Sequence, residues 1–445
     1  MAASTLSAQR NHFWVSPDGN DASDGSRDAP FATLERARDA LRELPGHFAG
    51  GVVNIHGGVY RLNAPLELLP EDSGRGFGRV TYRAVKGETP HVYGSIPVSG
   101  WTLHDAALNI YVANVGPQQT RHFFVNGQRA TRARTSDYPV SFVPHFQEDF
   151  KPDTSIDCAP GVPVTGGGGI EYIVDPLNDA RWRDPHTWTN QDQIEAVMVT
   201  QWKSMRCPIE RVTDNPGALD PASRIIEMQT PGWWNGNMFR DASSGTAGIW
   251  SFWNVNWFEN AYEFLDEPGE WYLNQTTGDL YYIPRIGEDI LTAEAELPVI
   301  EKLIDAKGSP DAPVQRIRFD GITFAYATWM GPSSSDGYIV DQSGFHVVGD
   351  GHETNIIGHV RHVVRTPGNL SFDYANSIEF INNAVLHMGG VGLDFGPGCQ
   401  RNRITRNEFF DISSAAIQLG GVDNESARPS IRHGGTRMNT ITDNH

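Results

Sequence analysis

The sequence has few cysteines, few basic residues and no long apolar run. Only three of its 445 residues are cysteines (Cys158, Cys207 and Cys399). They are too few and too dispersed for a disulfide framework or a zinc site, so buried or unreactive thiols are expected. No run of about 18 apolar residues occurs, so no membrane-spanning helix is predicted. The N-terminal segment MAASTLSAQRNHFWV has neither a basic start nor an apolar stretch and shows no signal peptide.

The charge balance is strongly acidic. The chain has 35 Lys and Arg against 54 Asp and Glu, a net charge of -19 at pH 7, and no Lys/Arg-rich block offsets it locally. Such a surface repels a nucleic-acid backbone, so no nucleic-acid partner is expected, whereas neutral sugars are compatible with it. No dinucleotide, P-loop or EF-hand pattern occurs, so no cofactor is predicted; calcium ligation by clustered Asp residues is left open. Oligomeric state is not readable from the sequence.

Turn residues are plentiful, with 46 Gly and 28 Pro, and short strand-like segments follow one another between them. One amphipathic helix is predicted over residues 33–44, where Leu34, Ala37, Leu41 and Leu44 recur at helical spacing. A short helix ahead of evenly spaced strands is typical of a capped β-solenoid, because an uncovered first coil would expose an unpaired strand edge.

The C-terminal third carries an internal repeat of 24 residues. Residues 376–396 align with residues 400–420, and an earlier, looser copy covers residues 317–329. The matched positions are Phe380 and Ile404, Asn383 and Asn407, Val385 and Phe409, His387 and Asp411, and Asp394 and Gln418. A period in the twenties with apolar alternation and a recurrent Asn indicates a parallel β-helix. A leucine-rich repeat is the competing solenoid, but its repeated Leu and Asn pattern is missing.

A third copy begins at residues 439–445, where Ile441 and Asn444 continue two of these columns. About 13 extra residues precede it in the polar segment 420–437, which is read either as a loop bordering a binding face or as a solvated excursion. Each coil buries its apolar face by stacking on the next. The recurrent Asn is expected at a corner, in the left-handed backbone conformation and hydrogen-bonded to its copy.

Composition divides the chain into three parts. Residues 12–120 are predicted to form an N-terminal cap and the first coils, residues 121–300 an inserted aromatic-rich β lobe, and residues 301–445 further coils. Nine of the 12 tryptophans lie between Trp182 and Trp271. Aromatic faces stack on sugar rings, so a Trp-rich wall would suit a glycan site. A Trp-rich core in the inserted lobe is the alternative for each of these residues.

Alternation along the strand places one carboxylate on the outside of the solenoid. If Leu393 and Phe395 face the core, Asp394 faces out, and Gln418 lies beside it on the next coil, about 5 Å away. This arrangement is a candidate catalytic or sugar-binding pair. The alternative is an exposed Asp on a solenoid face.

His387 and Asp411 occupy equivalent positions on neighbouring coils and could form a His–carboxylate pair for acid/base catalysis, or be ordinary polar corner residues. Glycoside hydrolysis usually needs two carboxyl groups, about 5–5.5 Å apart for retention or about 6.5–9.5 Å for inversion. The residue one coil on from Asp394 is Gln418, so a partner is expected in a coil beyond His445. Within the chain the available substitutes are Asp411, Asp423 and Glu425.

Eight segments resemble those of a known family. They are FWVSPDGNDASDGSRDAPFATLERARDAL, GGVYRL, VTYRAVKGETPHVYGS, FFVNGQRATRART, ENAYEFLDEPGEWYLNQTTGDLYYIPR, GITFAYATW, DGYIVDQSGF and GGVGLDFGPGCQRN. Over nearly the whole chain, this set resembles secreted bacterial β-helix proteins of the pectate-lyase-like superfamily, and most of all those around glycoside hydrolase family 141, which includes fucosidase and xylanase activities.

The resemblance implies an all-β fold: a right-handed parallel β-helix with a short N-terminal capping helix and an inserted aromatic-rich β lobe. It implies a secreted glycosidase with a carbohydrate substrate, and Asp394 as one of two catalytic Asp residues. It also implies substrate-binding roles for Trp329, Tyr338 and Gln342, which lie in matching segments. Similar proteins continue with further coils after the DNH segment that ends this chain at His445, so the chain is expected to be incomplete.

Two other functions are compatible with the same scaffold. A polysaccharide lyase would need a cationic site for a uronate carboxylate, and the low Lys and Arg content near the repeats argues against it. A non-catalytic solenoid would bind glycans without turnover. The carboxylate pattern favours the hydrolase.

Overall fold

Short segments with alternating apolar side chains form most of the regular structure. Strands account for 44% of the described residues, in agreement with the predicted all-β class. The computed structural model describes residues 11–44, 50–135, 142–146, 168–176, 178–200, 203–215, 222–237, 255–342, 344–349, 363–421 and 435–445. The chain forms two units: the first comprises Met1–Ile96, Pro298–Thr328 and Pro367–His445, and the second comprises Pro97–Leu297 and Trp329–Thr366.

Three parallel sheets make up the first unit. The first sheet consists, in spatial order, of His12–Val15, Gly51–Ile55, Val80–Ala84, Ile317–Asp320, Glu379–Ile381, Arg403–Thr405 and Thr440–Thr442. The second consists of Gly58–Arg61, Pro90–Tyr93, Thr323–Ala327, Ala384–Met388 and Glu408–Ile412. The third consists of Leu66–Leu68, Ile304–Lys307, Gly368–Asp373, Val391–Phe395 and Ile417–Leu419. The chain enters the three sheets in the same order in each successive coil. Val314–Gln315 and Ala375–Asn376 form a further parallel pair.

The 24-residue register predicted from the repeat is confirmed by the strand pairing. The paired residues are Phe380 and Ile404, Val385 and Phe409, Asp394 and Gln418, and Ile404 and Ile441. The looser copy also pairs as predicted, with Phe319 beside Phe380. The extra residues before the third copy therefore do not shift the register of the strand pairing.

Apolar residues from all three sheets fill the interior of the first unit. Phenylalanine rings stack from coil to coil: the Phe372 and Phe395 ring centroids are 4.8 Å apart, and those of Phe324 and Phe380 are 5.8 Å apart. Each of these four side chains is at most 1% exposed. Burying a side chain of this size contributes about 1.5–3 kcal/mol, so the stack is a main source of stability for the coils.

The predicted N-terminal helix runs over Leu34–Arg42, two residues short of the predicted end. It begins after Thr33, whose hydroxyl oxygen accepts a hydrogen bond from the Arg36 N–H at 3.1 Å, as expected for an N-cap residue. The side chains fully buried against the first unit's core are Leu34, Ala37 and Ala40. Leu41 and Leu44, which were predicted on the buried face, are only partly buried.

The recurrent Asn residues form a hydrogen-bonded ladder inside one corner. Asn407 Oδ1 accepts the Asn383 N–H at 2.9 Å, and Asn444 Oδ1 accepts the Asn407 N–H at 3.0 Å. The predicted left-handed conformation is wrong for these residues. The residue before each Asn has the positive φ instead, as at Arg406 (57°) and Asp443 (56°). The chain turns at that residue, and the Asn side chain that follows forms hydrogen bonds across the corner. A second ladder, Asn402 on Asn439, was not predicted.

Replacing Asn407 with Ala is expected to destabilise the protein by about 2–3 kcal/mol, because the buried Asn383 N–H and Phe380 carbonyl each lose a hydrogen-bond partner. Chemical denaturation followed by circular dichroism would measure this. Glu408→Ala, at the exposed next position, is the matched control and should change stability by less than about 0.5 kcal/mol. Equal effects of the two substitutions would contradict a structural role for the ladder.

The second unit is built mainly from antiparallel strands. One sheet consists of Thr131–Arg132, Glu270–Asn274, Asp279–Tyr282, Ile110–Asn114 and Thr102–Asp105. A larger sheet consists of Phe142–Phe146, Gly168–Ile173, Ser223–Met228, Lys203–Asp214, Tyr338–Gln342, Phe345–Val347 and Val363–Arg365, with Glu195–Thr200 and Trp257–Glu259 joined to it. A four-stranded sheet consists of Gln128–Arg129, Phe124–Val125, Ala295–Pro298 and Ser95–Pro97. The second unit also contains the helix Gly232–Asn237 and the 3-10 turns Pro185–Thr187, Gln191–Gln193, Tyr262–Phe264 and Gly331–Ser333, whereas the 3-10 turn Pro70–Asp72 belongs to the first unit.

Aromatic side chains form much of the second unit's core. Trp182, Trp188 and Trp233 belong to it and are at most 3% exposed, so the core alternative applies to them rather than a glycan-binding wall. Trp202, Trp234, Trp250 and Trp253 lie outside the described side chains.

Two of the three cysteines lie in the described part of the chain. Cys207 and Cys399 form no disulfide and are fully buried, as predicted, and burial raises the pKa of the Cys207 thiol. Cys158 lies outside the described residues. Among the residues that are described, no helix combines the length and apolar character needed to cross a membrane.

Candidate functional site

One row of outward-facing polar residues runs across all five strands of the third sheet. We call it the outward column; its members, in strand order, are Glu67, Asp305, Ser371, Asp394 and Gln418. Each lies between two inward-facing apolar residues, because side chains alternate along a strand. For Asp394 these neighbours are Leu393 and Phe395, both 0% exposed. The strand register therefore places Asp394 beside Gln418, in the outward position that was predicted.

The middle of the outward column is covered. Asp394 is only 3% exposed, and Ser371 and Asp305 are each 7% exposed. The alternative of an exposed Asp on a solenoid face does not describe Asp394. Carboxylates held away from solvent among other polar side chains are common at acid/base sites.

Gly368 contributes to this cover. A Cβ atom added at Gly368 would lie 2.4 Å from the Asp394 Cβ and 3.3 Å from its backbone nitrogen. Only glycine allows the chain to approach Asp394 so closely. The position of the Asp394 side chain is thus fixed in part by backbone packing within the first unit.

Asp305 was not identified from the sequence, and two lysines hold it in place. Lys302 Nζ lies 2.9 Å from Asp305 Oδ1, and Lys307 Nζ lies 2.7 Å from Asp305 Oδ2. Lys307 also lies 3.4 Å from Glu67 Oε1. The two ammonium groups compensate the negative charge of the buried Asp305 carboxylate, as a buried charge requires. The signal in the sequence was an Asp between apolar residues, in the segment Ile304–Ala306.

The spacing of the strands relates the two aspartates. Asp305 pairs with Ser371, and Ser371 pairs with Asp394, so the two carboxylates are separated by one intervening strand. Adjacent strands are about 4.8 Å apart, which separates the two backbones by about 10 Å. This is close to the range of about 6.5–9.5 Å for the two carboxyl groups of an inverting glycosidase. Asp305 therefore stands on the opposite side of Asp394 from the coil in which a partner was predicted.

The structure also brings His387 and Asp411 together. His387 Nδ1 lies 2.8 Å from Asp411 Oδ2, and the Tyr326 ring stacks on the imidazole with centroids 4.9 Å apart. Tyr93 meets Tyr326 edge-on at 4.8 Å. The four residues form a polar and aromatic stack on the second sheet. The catalytic role of His387 and Asp411 stays a prediction.

The backbone at this stack does not by itself indicate function. Tyr326, His387 and Asp411 have φ values of 61°, 57° and 54°, in the left-handed region that non-glycine residues seldom occupy. The same conformation recurs in the other corners, as at Asn382 and Arg406. This conformation is therefore a regular feature of the turns between strands and is not confined to one site.

The substrate-binding residues predicted by resemblance lie in the second unit. Trp329 and Tyr338 meet edge to face at 5.4 Å, and His346 packs against both rings. Burial lowers the pKa of His346 to about 4. The side chains of Gln342, Asp423 and Glu425 lie outside the described residues. Within the described ranges, no group of three or more His, Cys, Asp or Glu side chains is arranged to hold a metal ion.

Comparison with known proteins identifies a similar solved structure. No protein-family model matches the sequence, and none of the curated proteins matches it. The chain is similar to a structure titled "Glycoside hydrolase", with 26% identity over 93% of this chain and 68% of that chain and a TM-score of 0.72. A second structure, titled as the complex of XylC with xylose, is more distant: 12% identity over 98% of this chain and 53% of that chain, with a TM-score of 0.43.

The first of these similarities supports a glycoside hydrolase-like fold. At the level of class, it supports a carbohydrate-active enzyme with a carbohydrate substrate. The polar outward column on the third sheet is in keeping with this class, because it offers carboxylate, hydroxyl and amide groups on one face.

Proposed function

We propose that the protein is a glycoside hydrolase in which Asp394 is a catalytic carboxylate. The observation that carries this proposal is the outward column, in which Asp394 stands in register with a second carboxylate, Asp305, across one strand. Hydrolysis of a glycosidic bond needs one group to protonate the leaving oxygen and another to activate water or attack the sugar. The column supplies both groups on one face of a rigid sheet.

The surroundings of the two aspartates suit different roles. Asp394 is the more deeply covered and acts as the general acid that protonates the glycosidic oxygen. Asp305, whose charge is compensated by Lys302 and Lys307, acts as the base that removes a proton from the attacking water. That water attacks the anomeric carbon from the face opposite the leaving group, so the configuration inverts.

Two neighbours in the column bind the sugar. Ser371 lies between the aspartates and offers a hydroxyl group that both donates and accepts hydrogen bonds. Gln418 lies beside Asp394 on its other side and offers an amide with both functions. Both suit sugar hydroxyls, and neither adds charge to the site.

The finer assignments rest on the resemblance and the strand order together. Three parallel sheets entered in a fixed order support a right-handed parallel β-helix of the pectate-lyase-like superfamily. The sequence resemblance supports membership of glycoside hydrolase family 141 and secretion from the cell. The similarity to a structure titled "Glycoside hydrolase" is consistent with that family.

Product stereochemistry tests the pairing of Asp394 with Asp305. The protein would be incubated with a panel of plant and microbial polysaccharides, and the first-formed anomer of the released sugar would be read by proton NMR. Inversion is expected from the two-strand separation. Retention would contradict the assignment of Asp305 as base. An unsaturated, ultraviolet-absorbing product would identify a lyase, and binding without turnover a non-catalytic protein; either would contradict the hydrolase.

Asp305→Asn is expected to lower kcat about 10²–10⁴-fold, the usual contribution of a general base. The matched control is Asp373→Asn, which changes another carboxylate on the same sheet, in register with Lys307 but outside the outward column. Reducing-sugar release measures both variants, and thermal melting checks their folding. Equal activity of the two variants would remove Asp305 from the mechanism.

A further inference from the structure

Glu195 is a carboxylate in the second unit that is fully buried and only half satisfied. It is 0% exposed, at the start of the strand Glu195–Thr200. Its Oε1 atom accepts hydrogen bonds from Arg121 and from the Ser333 hydroxyl at 2.7 Å, and lies 3.1 Å from Arg132 Nη1. Burial would raise the pKa of Glu195, but the Arg121 and Arg132 guanidinium groups outweigh it and hold that pKa below its usual value. Glu195 is therefore an ionised acceptor.

The other oxygen of Glu195 receives no hydrogen bond from any described residue. Among the described residues, Glu195 Oε2 has no hydrogen-bond partner, although it is shielded from solvent. Gln193 Oε1, two residues earlier, is in the same state. Buried acceptors in native proteins are almost always paired, and an ionised oxygen more strictly than a neutral one. Two such atoms this close in sequence mark a polar region in which the protein's own hydrogen bonds are incomplete.

Both residues line one cavity. Its volume is about 430 Å³, within the range of about 300–1,000 Å³ typical of small-molecule sites. Its wall also includes the side chains of Gln119, Asp192, Gln275 and Thr276. These groups are amides, carboxylates and a hydroxyl, which exchange hydrogen bonds with hydroxyl groups in both directions.

The charges around the cavity select against ionic ligands. Asp192 and Glu195 in its wall repel an anion, which argues against phosphates and uronates. The guanidinium groups of Arg121 and Arg132, which pair with Glu195, repel a cation. A neutral ligand rich in hydroxyl donors meets neither penalty.

We propose that this cavity binds a neutral mono- or disaccharide, whose hydroxyl groups exchange hydrogen bonds with the polar residues of the wall, Gln193 and Asp192 among them. It is a second carbohydrate site, built from the second unit, whereas the outward column belongs to the first. Binding there needs no bond to be broken. The proposal therefore does not depend on hydrolysis at Asp394.

Isothermal titration with D-glucose, D-galactose and D-xylose would test the site on the full chain. Saturable binding of at least one sugar is expected. Gln193→Leu removes one acceptor without touching the Glu195 ion pairs and is expected to weaken binding about tenfold. Gln128→Leu, the same change at an exposed position of the second unit, is the matched control and should bind like the unaltered protein. Asp394→Asn should also retain this binding.

Three outcomes would overturn the proposal. The first is that none of the three sugars binds saturably. The second is that the Gln193→Leu variant has a normal melting temperature and binds as tightly as the unaltered protein. The third is that a crystal soaked in a sugar contains only water in the cavity. A protein that binds through Gln193 but hydrolyses nothing would support this site while removing the hydrolase proposal. The two failures are thus distinguishable.

Discussion

Replacing Asp394 with Asn is expected to lower kcat for glycan hydrolysis about 10²–10⁴-fold, with a much smaller effect on KM. Asparagine keeps the size of the side chain and still accepts hydrogen bonds, but it can neither deliver nor take up a proton. The substitution therefore removes an interaction made in the transition state and leaves most substrate contacts in place. Initial rates on the hydrolysed polysaccharide, measured over a range of concentrations, separate the two parameters.

Two further variants show whether the loss is specific to Asp394. Asp373→Asn removes a carboxylate of the third sheet that lies outside the outward column, and it should leave kcat unchanged. Gln418→Leu removes the neighbouring amide and should raise KM more than it lowers kcat, because it takes away binding rather than proton transfer. Unchanged hydrolysis by a folded Asp394→Asn variant would exclude Asp394 from catalysis.

A structural variant at Gly368 reports on how Asp394 is held. Gly368→Ala would force the Asp394 side chain to shift, because the added Cβ would come within 2.4 Å of the Asp394 Cβ. A loss of kcat without loss of folding would then reflect misplacement of the acid rather than its removal. Small displacements of catalytic groups cost large factors in rate.

The register of residues 376–420 could be predicted because no insertion interrupts these two copies. Residues 376–396 and 400–420 repeat at a spacing of 24, with apolar residues alternating along their strands, so one alignment places Asp394 beside Gln418 and His387 beside Asp411. Strand periodicity then decides which side chains face out. Those contacts followed from spacing alone.

Asp305 could not be found in the same way, because the period breaks on its C-terminal side. The strand Ile304–Lys307 pairs with Gly368–Asp373, but the segment Trp329–Thr366 of the second unit intervenes in the sequence. Glu67 is further removed still, with the segment Pro97–Leu297 between it and Asp305. A repeat search sees only short-range copies, whereas sheet pairing tolerates insertions of any length in the loops. Three of the five members of the outward column, Glu67, Asp305 and Ser371, were therefore not identified from the sequence.

The ion cluster of the second unit was missed for a related reason. Arg121, Arg132, Arg206, Glu195 and Glu259 are spread over more than a hundred residues and follow no pattern in the sequence. Antiparallel pairing of Glu195 with Glu259 across two strands brings the carboxylates together. The arginines then offset their mutual repulsion. Such clusters depend on tertiary pairing and carry no local signal.

Replacing Glu259 with Leu is expected to destabilise the second unit by about 3–5 kcal/mol, the usual cost of leaving buried charge unpaired. Glu259 Oε1 lies 2.8 Å from Arg132 Nη1, 3.4 Å from Arg121 Nη2 and 3.4 Å from Arg206 Nε. Urea denaturation, followed by the fluorescence of the buried tryptophans of this unit, measures the change. Glu267→Leu, at an exposed position nearby, is the matched control and should alter stability by less than about 0.5 kcal/mol. Similar effects at both positions would contradict a role for the cluster.

The lowered pKa of Glu259 predicts how the stability of the protein varies with pH. Burial alone would raise the pKa of Glu259, but the guanidinium groups of Arg206, Arg132 and Arg121 outweigh it and hold that pKa well below its usual value. In the unfolded chain Glu titrates near pH 4.3, so between that pH and the lower folded pKa the unfolded state binds more protons. The stability that Glu259 contributes is therefore fully present above about pH 4.3 and is lost as the pH falls towards the folded pKa. Glu259→Gln, which keeps the acceptor oxygen but not the charge, should lie well below the unaltered protein in unfolding free energy at pH 7. The difference should narrow at pH 3, and a difference that stayed constant would show that folding does not lower the pKa of Glu259.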